Sequence, residues 1–379
     1  MKKLSVLLMF MLVFQISAFP IYASEQGTAL DNLSSGSAPS VTARSAILMD
    51  ANSGKVLYSK KANTKRYPAS ITKIMTTLVA IENCKSLYET VTYSENAINS
   101  IEPGSSQIYI EPGEKLTLEE SLYAIMLESA NEACNGVAEH IGGSIEGFVD
   151  LMNKKAKEIG CKNTHFMNPN GLHNDDHYVT AYDMALITKT ALQNETFRKI
   201  ASTVSYTIPA TNKSKVQRSL WNHHKMVKKT MYAYDGVEGG KTGFTMMARN
   251  TLVTWCKRDN LELIAVTLQD DGYETYSDTI KLFNYGYQNF KAVAPITSCS
   301  LDTFHDQESD PVLACAKELS PCTLTISCDP TYTVLTDKKT KASDITSEAY
   351  YDAKKKSNYF KVKYKSKTVG SFPFQLSIN

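Results

Sequence analysis

The sequence predicts an α/β sandwich, helices packed on an antiparallel sheet, followed by a small C-terminal all-β domain, and three observations carry that expectation. Two strand-like runs open the ordered part of the chain, a block of helical patterns fills its middle, and strand-like runs closed by a helix return after residue 203. From about residue 295 apolar residues alternate with polar or basic ones and no helical period appears. Length agrees, since 379 residues at roughly 100–200 per domain predict two or three domains.

The amino terminus carries Lys2 and Lys3, an uncharged run over 4–14, Pro20, and small residues at Ala23 and Ser24. That order is a secretory signal over 1–23. The other reading is an uncleaved signal anchor, but Gln15, Ser17 and Pro20 dilute the apolar second half of the segment. Cleavage near Ala23 removes two lysines and takes the formal charge from +2 to zero. The expectation is an exported protein, extracellular or at the outer face of the membrane or wall. With 41 basic against 39 acidic residues, no charge excess draws the chain to nucleic acid.

Residues 24–43, rich in Ser, Gly, Ala and Asn, read as a flexible leader. The runs Ala46-Ile-Leu-Met-Asp50 and Lys55-Val-Leu-Tyr-Ser59 flank the turn residues 51–54, which predicts a hairpin. Helices are expected over about 70–83, 118–126, 131–140 and 145–159, with Gly142 and Gly143 breaking the last two apart. Thr180, with Asp183 three residues on, is a near-match to a capping box and opens a helix over 180–193. Buried strands are expected at 204–208, 252–255 and 263–268, then a closing helix over 276–290. Four further strands, at 323–327, 332–336, 359–364 and 372–377, make the small β domain. The domain plan is thus 44–292 for the larger domain and 296–379 for the β-rich one.

Among the cysteines, Cys84, Cys134, Cys161 and Cys256 sit among apolar neighbours and read as buried free thiols. Cys299, Cys315, Cys322 and Cys328 cluster late, where an exported protein can form one or two disulfides. No CxxC pair occurs and His305 is the lone histidine nearby, so no metal site is expected.

The chemistry-bearing residues fall in three places. In Pro68-Ala-Ser-Ile-Thr-Lys-Ile-Met75, Ser70 and Lys73 share one face of a helix start, so the amine can take the proton that makes the hydroxyl a nucleophile. Ser129-Ala-Asn131 lies between two helices and presents a second hydroxyl and an amide from a turn. Lys241-Thr-Gly243 offers a cation and a hydroxyl on a strand edge that glycine opens to close backbone approach. A phosphate-loop reading of Gly-Gly-Lys-Thr fails, because position 235 is Asp and no parallel βαβ unit surrounds it.

Each motif is common in isolation, but SxxK, SxN and KTG in this order form the set of the penicillin-interacting serine enzymes. Together with Glu128-Ser-Ala-Asn-Glu-Ala-Cys-Asn-Gly-Val-Ala-Glu-His-Ile-Gly-Gly143, Asn168-Pro-Asn-Gly-Leu172 and His177-Tyr-Val-Thr-Ala181, they make residues 44–290 resemble the serine D-alanyl-D-alanine carboxypeptidases, the low-molecular-mass penicillin-binding proteins of peptidase family S11. The resemblance implies the β-lactamase/DD-peptidase sandwich. It makes Ser70 the acylated nucleophile, Lys73 its proton acceptor and Ser129 the relay to the leaving D-alanine. Asn131 would hold the substrate's peptide carbonyl or amide, Lys241 and Thr242 would contact the terminal carboxylate, the N–H groups of Ser70 and Phe244 would form the oxyanion hole, and Gly243 is a further substrate-binding position. The implied partners are the peptidoglycan stem peptide and β-lactam inhibitors, with no cofactor.

Two positions depart from the pattern. Arg249 stands where relatives often have glycine, and the acidic segment after Leu268 replaces an expected arginine, so carboxylate recognition falls to Lys241 with Arg249 as a second candidate. Three alternatives stay open: a DD-endopeptidase acting on cross-links, a class A-like β-lactamase and a non-catalytic wall-binding module. No ExxLN lies between Ser129 and Lys241 for the β-lactamase, and three intact motifs speak against the module. The carboxyl end is too short and Pro-broken for an amphipathic anchor helix. Lys354, Lys355 and Lys356 read as a solvated charge run, with anionic wall polymer as the other reading.

Overall fold

The computed structural model describes residues 37–293 apart from Lys229, and then 304–305, 324–328, 333–341, 344–352, 357–364 and 367–378. The predicted signal, Cys299, Cys315, Cys322 and the lysines at 354–356 lie outside the described residues, as does the side chain of Cys328.

The expected hairpin is present as β1 (Ser45–Asp50) and β2 (Val56–Lys60), and Gly54 takes the positive φ, +75°, that its turn requires. A 3₁₀ turn (Ala69–Thr72) then feeds α1 (Lys73–Asn83). A small sheet of β3 (Thr90–Thr92) and β4 (Lys115–Thr117), with α2 (Glu95–Asn99) between them, leads to α3 (Leu118–Tyr123). Thr117 and Glu120 form a full capping box on α3. The helix does not run on smoothly to Met126: Ala124–Glu128 is a π turn, a widening that recurs at functional sites.

Three longer helices follow, α4 (Asn131–Gly142), α5 (Ile145–Ile159) and α6 (Ala181–Ala191), with Gly143 left-handed at the α4 end as its glycine pair predicts. Thr180 caps α6 through Asp183 N–H, but the Asp183 carboxylate does not complete the box. It accepts instead from Asn163 N–H and Thr164 Oγ1 at 2.8 Å each, tying the preceding loop to the helix. Next come α7 (Glu195–Ser202), β5 (Ser205–Ile208), β6 (Arg218–Trp221), β7 (Val237–Thr245), β8 (Arg249–Arg258), β9 (Leu261–Asp270) and α8 (Glu274–Asn289).

Strand β5 corrects one expectation. It is not a buried strand of the main sheet but pairs only with β6, and Val204 beside it is 42% exposed. Its alternation with one buried residue, Ile208, is that of a surface strand. The main sheet has the antiparallel order β2-β1-β9-β8-β7, which leaves β7 on the edge. Period-two alternation divides its side chains between two cores. Ile47, Met49, Val253, Trp255, Ile264 and Val266 pack against the helical block. Ala46, Leu48, Leu252, Leu263 and Ala265 pack against Leu282 and Phe283 of α8. The chain is therefore a helix–sheet–helix sandwich, with the middle strands buried on both faces.

Beyond α8, β10 (Phe290–Val293) pairs antiparallel with β13 (Val334–Asp337). A five-stranded sheet holds β11 (Phe304–His305), β12 (Leu324–Cys328), β14 (Ile345–Asp352), β15 (Ser357–Tyr364) and β16 (Lys367–Ile378), in the order β11-β14-β15-β16-β12. The all-β reading of this region holds, with β14 the strand that sequence periodicity missed: Thr346-Ser-Glu348 interrupts its apolar pattern. Of the four earlier cysteines, all free, Cys134 and Cys256 are buried as expected, whereas Cys84 and Cys161 are half-exposed. No helix of the described residues is long and apolar enough to cross a membrane.

Candidate active site

The three motifs meet at one cleft of about 600 Å³ between the helical block and edge strand β7. Ser70 lines it from the 3₁₀ turn, Ser129 and Asn131 from the π turn and the start of α4, and Thr242, Gly243 and Phe244 from β7. Residues 102–106, His223, Tyr273 and Tyr276 also line it. The two motif lysines do not line the cleft. Both are buried just behind it, Lys73 with no exposure and Lys241 2% exposed.

Each lysine holds one serine. Lys73 Nζ donates to Ser70 Oγ at 2.9 Å, to Asn131 Oδ1 at 2.7 Å and to the carbonyl of Asn170 at 2.5 Å. Lys241 Nζ donates to Ser129 Oγ at 3.2 Å and to its neighbour's carbonyl, Thr242 O, at 3.0 Å. Burial pulls the Lys73 ammonium down to about 8, against the opposing pull of Cys134 and Glu132. Burial, and then the nearby Lys73 charge, pulls Lys241 down to about 7. Neither amine is locked in its charged form near neutral pH, which is what a proton-accepting lysine requires.

The backbone that delivers these groups is unusual where it must be. Ser129 itself is left-handed, φ 60° and ψ 30°, a conformation a non-glycine residue adopts only under the hold of its surroundings. The π turn before it and the Asn131 N–H bond to Ser106 O, 2.9 Å, supply that hold. Ser70 is fixed from the sheet side: Thr251 Oγ1 donates to Pro68 O at 2.8 Å. A Cβ on Gly243 would stand 2.8 Å from Ser70 N and 2.4 Å from Thr251 Oγ1, so only glycine lets β7 approach the serine backbone. Gly171, at φ +86°, abuts the Ala69 carbonyl in the same way and turns the Asn170 carbonyl onto Lys73.

Every predicted site residue therefore reaches the site, Ser70, Lys73, Ser129, Asn131, Lys241, Thr242, Gly243 and Phe244 together. Arg249 does not join them. It is left-handed at φ 53°, 60% exposed and paired with Asp271 at 2.5 Å, and it is not among the residues that line the cleft, although Asn250 and Gly272 beside the pair are. Sequence reasoning missed the Asn170 carbonyl, since a backbone acceptor has no side-chain signature, although the Asn168-Pro-Asn-Gly-Leu172 string marked its loop. It also missed the 102–106 segment, His223 and the two tyrosines, which belong to no motif and reach the cleft only through the fold.

Comparison with known proteins bears on the family and the fold. Residues 32–272 match the D-alanyl-D-alanine carboxypeptidase family, peptidase S11. The D-alanyl-D-alanine carboxypeptidase DacF of Bacillus subtilis is 38% identical over 256 residues, 66% of this chain and 63% of that protein. DacC of Escherichia coli, another D-alanyl-D-alanine carboxypeptidase, is 34% identical over 272 residues, 68% of this chain and 64% of its own length. The match thus spans a little under two thirds of those relatives. Among solved structures, the Streptomyces K15 DD-transpeptidase superposes with a TM-score of 0.63 at 29% identity, covering 66% of this chain and 99% of that one. A D-alanyl-D-alanine carboxypeptidase from Mycobacterium tuberculosis gives a TM-score of 0.61 at 28% identity, over 66% and 93% of the two chains. With its three motifs gathered at one cleft of this sandwich, the chain belongs to the S11 family of serine D-alanyl-D-alanine carboxypeptidases.

Proposed function

We propose that the protein is an exported serine D-Ala-D-Ala carboxypeptidase that removes the terminal D-alanine from peptidoglycan stem pentapeptides and is acylated at the same serine by penicillins. The observation that carries this reading is the pair of serine–lysine contacts on one cleft, Lys73 with Ser70 and Lys241 with Ser129. Neutral Lys73 takes the Ser70 proton as Oγ attacks the penultimate D-alanine carbonyl. The oxyanion is met by the N–H groups of Ser70 and Phe244, on the strand that Gly243 brings close. The C–N bond then breaks as Ser129 gives its hydroxyl proton to the departing amine, and the proton that Lys73 took from Ser70 is passed back to the Ser129 oxygen, which restores neutral Lys73 and the Ser129 hydroxyl. Water completes the cycle by hydrolysing the ester and returning the proton to Ser70.

Asn131, held by Lys73, presents its amide to the substrate backbone, and Thr242 meets the terminal carboxylate with the Lys241 charge directly behind it. The secretory signal over 1–23 supports export to the compartment where such stems are found. The test is fluorescent penicillin. The wild type becomes covalently labelled and mass spectrometry places the adduct on the Ser70 peptide, while Ser70→Ala takes up no label. Label that persists in Ser70→Ala, or maps to another residue, overturns the assignment of the nucleophile.

A further inference from the structure

Behind the cleft lies a charged side chain that neither the motifs nor the proposed steps use. Glu132 follows Asn131 in the first turn of α4 and is 1% exposed. Its Oε1 accepts from Ile108 N–H at 2.7 Å, while Oε2 is buried with no hydrogen-bond partner among the described residues. The segment it grips continues from a stretch of the cleft lining. Residues 102–106 line the cleft, Asn131 N–H bonds Ser106 O, and beyond Ile108 the backbone turns left-handed at Tyr109, φ 57°, with that ring 75% exposed.

We infer that Glu132 is a positioning residue of this site, its carboxylate holding the 102–110 segment onto the start of α4 and placing a negative charge behind the Lys73 amine. The inference rests on the reading of Lys73 as the proton acceptor of Ser70. Burial raises the Glu132 carboxyl above its ordinary range, against the backbone N–H groups of Ile108, Glu132 and Ile110 and then the Lys73 charge. The titratable groups that face it are Lys73 from α1, the Cys134 thiol from α4 and the Tyr93 hydroxyl from the segment after β3. Lys73 is the cation among them, and the Glu132 charge holds its proton on. A buried carboxylate with one oxygen unsatisfied is an expensive way to fasten a loop. A charge that also tunes the neighbouring base gives that expense a use.

Two variants separate the roles, with the acylation rate of Ser70 by fluorescent penicillin followed across pH in the full chain. Glu132→Gln keeps an acceptor for Ile108 N–H and removes the charge, so the acid limb of acylation moves to lower pH by about half a unit or more. Glu132→Ala removes the segment's anchor as well, and acylation falls roughly 10- to 100-fold through misplacement. A group that only stabilised the fold would lower the melting temperature and leave the limb in place. If wild type is acylated and Glu132→Gln keeps both its rate and its acid limb, the inference is overturned, whether or not Glu132→Ala folds. An unacylated wild type overturns the reading of function and this inference with it.

Discussion

At the scale of single residues, the account turns on two buried lysines that cannot both keep their protons comfortably. Burial lowers both, and Lys241 is lowered further by the Lys73 charge. With Lys73 near 8, acylation should rise with pH across roughly pH 7 to 9 as Lys73 becomes free to accept a proton. Lys73→Ala should lower the acylation rate by about 10²- to 10⁴-fold, the span of a lost general base, and flatten that limb. A variant that keeps the wild-type pH profile would remove Lys73 from the proton transfer. The same scale explains Gly243. Gly243→Ala places a methyl against Ser70 N and Thr251 Oγ1, and should cost about 1–3 kcal/mol of stability with a fall in acylation larger than the stability loss explains. These residue types were legible in the sequence, because serine, lysine, asparagine and glycine carry their chemistry in their side chains. The Asn170 carbonyl and the Glu132 carboxylate were not, one being backbone and the other a glutamate in a helical pattern that reads as surface.

At the scale of elements, two histidines brace the strands and helices around the site in their neutral form. His177 accepts from Met167 N–H at Nδ1, 3.3 Å, which leaves Nε2–H to donate to Thr72 Oγ1 at 3.0 Å behind the nucleophile's turn. His224 bonds Thr254 on β8 and fills the space beside Gly240 on β7. Burial pulls both rings down to about 3. A folded value below the unfolded one means that the unfolded chain binds more protons between about pH 3 and 6.5, so stability is full above that window and falls as pH drops through it. Each histidine then removes roughly 1.4 kcal/mol per pH unit in the window. Asp270, pushed up to about 6 by burial, acts with the opposite sign between about pH 4 and 6. The net expectation is a melting temperature that falls from pH 6 to 4 with a slope reduced in His177→Asn. An unchanged slope would show that His177 is not buried neutral. Periodicity found the main strands and helices here because β1, β8 and β9 alternate between two apolar cores. It misjudged β5, whose apolar run looks buried by composition but pairs only with β6 and sends Ile208 into the helical-side core and Tyr206 onto Tyr123 while Ser205 and Thr207 stay exposed, and it passed over the π turn, which differs from α-helix only in backbone spacing.

At the scale of the whole molecule, we propose two units, 44–292 and 296–379, with the site confined to the first. Strand β10, at the proposed boundary, pairs with β13, Lys338 N–H bonds Asn289 O, and Asn52 reaches Thr333 at 3.5 Å, so the join is made by strand pairing rather than by a bare tether. Ending the chain after Val293 should therefore leave penicillin acylation within about twofold while lowering the melting temperature, because β10 loses its partner strand. Loss of acylation in a folded truncation would place the second unit in the site's support. The central claim is hydrolysis through Ser70, and it is tested most directly by incubating the purified chain with a stem pentapeptide ending in D-Ala-D-Ala and following D-alanine by mass spectrometry. The account predicts release of one D-alanine per peptide, abolished in Ser70→Ala. No release from the pentapeptide by a chain that penicillin still acylates, with cleavage of cross-linked stems instead, would contradict it and make the protein an endopeptidase on the same site.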